Sequence, residues 1–343
     1  MKKLYGIQYL RACAALAVVA FHAAERTGGH FAIGAAGVDV FFVVSGFIMW
    51  VISETRRTTP AQFLRERVQR IVPIYWAATG VMIVGALAGL FPNLKLTLAH
   101  VLESLFFVPH RSPSNGEIWP ILIQGWTLNY EMFFYVIFAG ALFLPPKARL
   151  AALTATFILL VASGLLVDGG NDVVLTYTDP IILEFLLGAL IAKLWLAGRM
   201  PQPMTGLGLI AVALLGFAIV GTTHIGFGPL VFGPLAAALV VGTLALEKAG
   251  AFGRIAPLTY LGDSSYSIYL WHTLAISVVA KLAGFVSMPF LPWLVIALLA
   301  GTAIGVFCYE FLEKPLTAAF KRGRRRSERL DPAVPAGDTG PQL

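Results

Sequence analysis

Little of this 343-residue chain is charged, and almost none of it is cysteine. Asp, Glu, Lys and Arg make up 13% of the residues, where a soluble domain carries about a quarter. Hydrophobic residues make up 58%, and mean hydropathy is +0.79. The two cysteines, Cys13 and Cys308, both lie in apolar runs, so no disulfide framework is implied. No Walker or dinucleotide fingerprint occurs, and the glycines are scattered through apolar runs, where they serve close packing. His30, His100, His110 and His224 lack the spacing of a zinc site, so no metal is expected. The sequence has no soluble catalytic domain, no internal repeat and nothing that calls for nucleic acid.

What it has is long apolar runs of about the length that crosses a bilayer. They predict an all-α, polytopic integral membrane protein of about ten transmembrane helices: 7–24, 36–53, 72–91, 126–144, 150–167, 180–197, 205–222, 229–246, 264–283 and 291–311. The segment "LTLAHVLESLFFV" at 96–108 is too short to span and carries Glu103, which predicts a short re-entrant or interfacial helix. Lys and Arg collect in alternate connections: Lys2 and Lys3, then Arg56, Arg57, Arg65, Arg67 and Arg70, then Lys147 and Arg149, Arg199, Lys248 and Arg254, and the tail "KRGRRRSER". The intervening connections, such as "DGGNDVVLTYTD" at 168–179, are neutral or acidic. This alternation predicts both termini in the cytoplasm. The first run also has features of a signal peptide, but Arg11 interrupts it and its removal would break the alternation. Residues 1–320 are expected to form one membrane domain, with 321–343 a basic, unstructured tail.

Ionisable residues inside spans are costly and mark function. Arg11 and His22 stand eleven positions apart, which returns them to one helix face about 16 Å apart along the axis. Snorkelling explains Arg11 alone, and an interfacial position explains His22 alone, but their shared face favours a joint role. Asp39 near the start of the second span and Glu131 near the start of the fourth are expected at the depth of His22. A carboxylate there would orient its imidazole as a general base requires, although a structural polar network is the plainer alternative. Ser45 and Gly46, mid-span, read as a packing site. Arg67 and Arg70 share a helix face and suit phosphate, or equally anionic lipid. Ser265, Tyr269 and His272 lie on neighbouring directions of the ninth span. Glu184 and Lys193, nine positions apart on the sixth, point different ways. "YEFLEKP" at 309–315 reads as a helix end with a breaker.

Five motifs in order, "QYLRACAALAVVAFH", "GVDVFFVVSGFIM", "FLRERVQRIVPIYW", "GWTLNYEMFFY" and "SYSIYLWH", resemble the membrane acyltransferase family 3, over about residues 1–320. The opening is most similar to the exopolysaccharide acyltransferase branch. The resemblance implies an inner-membrane enzyme that moves an acyl group, usually acetyl, from cytoplasmic acyl-CoA to a carbohydrate hydroxyl. It also implies functional roles for Arg11, His22, Arg67 and Arg70. On that reading His22 is the base, Asp39 or Glu131 orients it, and His272 or Tyr269 holds the oxyanion. Arg11, Arg67, Arg70, Ser265 and Tyr269 would line the donor's path. The alternatives are a proton-coupled secondary transporter and a non-catalytic subunit of a polysaccharide export system.

Overall fold

The computed structural model describes residues 3–330 apart from 57, 168–169, 223–227, 284 and 287–288. Lys2, Arg57, Asp168, His224 and the tail from 331 therefore lie outside the described residues. Thirteen α-helices follow in order among those described, with no strand: α1 (Tyr5–Arg26), α2 (Gly37–Thr55), α3 (Pro60–Leu87), α4 (Leu98–Leu105), α5 (Gly125–Ala141), α6 (Pro146–Gly164), α7 (Asp172–Tyr177), α8 (Leu183–Leu196), α9 (Pro203–Thr222), α10 (Pro229–Lys248), α11 (Ala256–Ala283), α12 (Phe290–Cys308) and α13 (Lys314–Leu330).

A helix covers each of the ten expected spans. Among the described residues, eight helical segments are long and apolar enough to cross a membrane. The two that fall short do so for different reasons. α5 has 17 residues, at the lower limit of a span, and α11 has 28 but carries Asp263 and a run of Ser, Tyr and His. The chain is a multi-pass helical membrane protein.

Three boundaries differ from expectation. The third helix starts at Pro60 rather than near 72, because Thr59 caps it, its hydroxyl accepting from the Gln62 amide at 3.2 Å. Pro73 thus lies inside a continuous helix instead of opening a span, and Arg67 and Arg70 ride on the same rod. The segment "YEFLE" does not end the last span. It forms one π turn at Tyr309–Glu313 and passes into α13, with Pro315 in the first turn, where proline costs no hydrogen bond. α13 carries helix past 321, into the stretch expected to be unstructured.

The chain divides into two compact units. In the first (Met1–Arg56, Leu183–Leu316 and Glu328–Leu343), α1 lies against α11 and α2, α11 against α12, α2 against α8, and α9 against α10. Its centre is small and aliphatic: Ala15, Val19 and Ala23 of α1 meet Ile268, Ile276 and Val279 of α11 and Ala297 of α12. Glycine sets the closest approaches. A Cβ on Gly46 would meet the Phe185 backbone, and one on Gly188 the backbone of Val43 and Phe47. The packing role expected at Ser45–Gly46 is what α2 and α8 use. α9 and α12 turn Leu207, Leu214, Leu215, Leu291 and Leu299 outward, as lipid-facing helices do.

In the second unit (Arg57–Ile182 and Thr317–Ser327), α3 packs on α5 and α5 on α6. Phe63 meets Tyr135 edge to face and Phe138 at a tilt of 30°. The short α4 is tied down by α3: the Tyr75 hydroxyl donates to the Ser104 carbonyl at 3.0 Å, and the Trp76 indole to that of Leu105 at 2.9 Å.

Candidate functional site

Within the first unit, α1 and α11 carry two polar rungs. At one level Arg11 donates through Nη2 to Ser265 Oγ at 2.9 Å, both side chains buried. The approach is close because α11 has Gly262 there, where a Cβ would strike the Gln8 carbonyl. The N-terminal end of α1 is anchored from outside itself. Glu247 of α10 accepts from the Tyr5 and Gly6 amides at 3.1 and 2.5 Å, and Lys3 pairs with Asp263 at 2.7 Å. These bonds satisfy two of the amides that any helix start leaves without intrahelical partners.

The second rung is a pair of imidazoles. The rings of His22 and His272 lie 5.2 Å apart, inclined at 38°. They differ in access: the His22 side chain is 27% exposed, whereas His272 is 0% exposed. His272 Nδ1 lies 3.0 Å from the Ile268 carbonyl, with that of Tyr269 beside it. A carbonyl only accepts, so Nδ1 carries the proton and neutral His272 has its lone pair on Nε2. That nitrogen is buried with no hydrogen-bond partner in the structure. On that tautomer Nε2 can accept a hydrogen bond but not donate one, whereas the hydroxyl of Tyr269 can do either. Tyr269, one turn earlier, packs its ring 6.1 Å from His272 and 6.0 Å from Phe41.

The carboxylate expected from the second span sits elsewhere in this unit. Asp39 is buried on α2, and its carboxyl group interacts with that of Glu184 on α8. The carboxylate beside His22 is Glu25, one turn further on, with Oε2 4.0 Å from Nδ1. Reasoning from the sequence set Glu184 only against Lys193 on its own helix. The usable signal was its place four residues before Gly188, the glycine that draws α8 onto α2.

Glu131 belongs to the second unit. It accepts from the Tyr135 hydroxyl at 2.5 Å, and both interact electrostatically with the partly buried Arg67. Arg67 also faces Glu66 at 3.9 Å, and Arg70 follows one turn later. Around α4, outside the spans, His100 and His110 share a hydrogen bond of 2.6 Å between Nδ1 and Nε2. Among the described residues no group of three or more His, Cys, Asp or Glu could hold a metal ion.

A multi-pass helical bundle with arginine and histidine buried at its helix contacts is the architecture of a membrane-embedded enzyme. The comparisons with known proteins name the family. An acyltransferase domain model, that of acyltransferase family 3, matches residues 4–310. The chain belongs to this family and is a membrane acyltransferase, which decides against the transporter and the non-catalytic subunit. It is 56% identical over 306 residues to the exopolysaccharide production protein ExoZ of Rhizobium meliloti (strain 1021), covering 89% of this chain and 96% of that protein. It is 25% identical over 349 residues to the O-acetyltransferase OatA of Staphylococcus aureus (strain NCTC 8325 / PS 47), covering 91% of this chain but only 57% of OatA. No solved structure matches the chain.

Proposed function

We propose that this membrane O-acyltransferase moves an acetyl group from cytoplasmic acetyl-CoA to a hydroxyl of an exported polysaccharide, with His22 as general base. The observation that carries the reading is the His22–His272 rung: a reachable imidazole beside a buried one, on the helix whose other polar level holds Arg11. The relatives' names support acetyl as the group and exopolysaccharide as the product. Alternating basic connections support an inner-membrane location with both termini cytoplasmic. The family match over residues 4–310 supports a membrane domain ending near 320, before a basic tail.

The donor set fits acyl-CoA. In the first unit the Arg11 guanidinium, beside the buried hydroxyl of Ser265, suits a phosphate by paired hydrogen bonds, and in the second unit Arg67 and Arg70 carry the same chemistry. The thioester supplies an activated carbonyl. His22 takes the proton of the sugar hydroxyl as its oxygen bonds to that carbonyl carbon, and returns a proton to the thiolate released when the C–S bond breaks. Glu25 favours the imidazolium that His22 becomes. Glu131 and Tyr135 attract the Arg67 guanidinium electrostatically, and Arg70 follows it by one helical turn.

The test is transfer of label from 14C-acetyl-CoA to exopolysaccharide by membranes carrying His22→Ala at wild-type level. The expected result is a loss of about 100-fold or more, and unchanged labelling rejects His22 as the base. Label that reaches the glycan from another donor, but not from acetyl-CoA, rejects the donor while leaving the base in place.

A further inference from the structure

The His22 imidazolium carries two N–H groups, and Glu25, at 4.0 Å, is too far to accept a hydrogen bond from either in this geometry. The structure supplies an acceptor. His272 is wholly buried on α11, and its ring is anchored from below by the Nδ1–H bond to Ile268. Gly301 of α12 closes the space behind it, where a Cβ would stand 3.3 Å from His272 Cβ. With Nδ1 committed, the ring cannot present Nε2 as a donor without adding a charge in a buried setting. Its Nε2 is buried with no hydrogen-bond partner, and the neighbouring imidazole, 5.2 Å away between ring centres, is that of His22. A buried acceptor without a partner is costly, and an N–H donor that strengthens when the His22 ring becomes cationic relieves that cost at the moment it matters.

We propose that His272 is a positioning residue for His22, its Nε2 accepting the N–H on the His22 ring nitrogen that does not take the proton of the acceptor hydroxyl. This rests on His22 as the base. The proton balance is closed: the hydroxyl proton moves to His22, an O–C bond forms, the C–S bond breaks, and His22 reprotonates the thiolate. His272 gains and loses no proton. A neutral imidazole here has the role that a carboxylate has in a hydrolase triad.

Two measurements test it on the full-length chain. In 15N-histidine-labelled protein in micelles, the signals lost in His272→Gln should show the Nδ1–H tautomer, and an Nε2–H tautomer overturns the proposal. In membranes with 14C-acetyl-CoA and exopolysaccharide, His272→Leu should lower kcat about 100-fold with KM for acetyl-CoA within about twofold. His272→Gln, whose amide oxygen can accept near the Nε2 position, should recover about tenfold of that loss. Equal activity in the Leu and Gln variants overturns the acceptor role. If His22→Ala abolishes transfer while both His272 variants keep wild-type kcat, this inference alone fails. If His22→Ala is fully active, the base assignment fails and takes this one with it. Should His272→Leu not reach the membrane, the wild-type tautomer decides.

Discussion

Gly46→Ala is a single added methyl whose cost can be worked from the coordinates. The new carbon would sit 2.8 Å from the Phe185 carbonyl carbon and 2.9 Å from its Cα, with the carbonyl oxygen nearer still. Carbon atoms rest at about 3.5–4.0 Å, so α2 and α8 must part by about 1 Å. The obstacle is backbone, which cannot swing aside as a side chain can. Overpacking costs about 1–3 kcal/mol, and this site belongs at the upper end. Alanine returns about 1 kcal/mol in helix propensity, leaving a net loss of about 2 kcal/mol. Gly208→Ala on α9 is the control, since its Cβ meets nothing within 4 Å, and it should be neutral or gain about 1 kcal/mol. Thermal unfolding in detergent should show Gly46→Ala melting roughly 5 °C below wild type, and Gly208→Ala at or above it. Gly188→Ala should cost less in the Gly46→Ala background than alone, because the helices are already apart. A Gly46→Ala protein that melts with the wild type refutes the packing argument, and with it the close contact that brings Asp39 to Glu184.

Two further predictions concern parts away from the imidazole pair. Burial first, and the neighbouring His110 second, push His100 down to about 4 from an ordinary value of 6.5. The unfolded chain therefore binds more protons between those values. Stability around α4 should fall as pH is lowered from about 6.5 to 4, with no further loss from this group below that. Hydrogen exchange of α4 amides against pH checks it, and His100→Gln should flatten the profile. Glu247→Ala removes the acceptor of the Tyr5 and Gly6 amides and should cost about 1 kcal/mol, with Glu247→Gln between the two. Faster exchange confined to those two amides is the expected signature, and unchanged exchange would show that the cap is idle.

Much of the fold was legible because membrane helices advertise themselves. Without water in the bilayer every backbone group must be satisfied within its own helix, so each span is an apolar run. All ten expected runs are helical, and the arginine–histidine spacing on α1 placed Arg11 and His22 on one face toward α11. Boundaries were read less well where capping or a π turn, rather than hydropathy, sets the end of a helix, as at Thr59 and at Tyr309–Glu313. The site was legible only in its members. Asp39 and Glu131 fit an orienting role by depth, but depth says nothing of direction around an axis or of which helix lies alongside. Asp39 faces Glu184 because Gly46 and Gly188 bring those two helices together, and Glu131 faces Arg67 because α5 packs on α3.

By itself the amino-acid sequence determined the solvent, the helical class, and the residues costly enough to need a purpose, since transfer free energy depends only on which side chains a segment carries. Tertiary structure alone decided who faces whom. That the His272 ring lies beside that of His22 is such a decision, for it depends on how α11 packs on α1, which no linear spacing records.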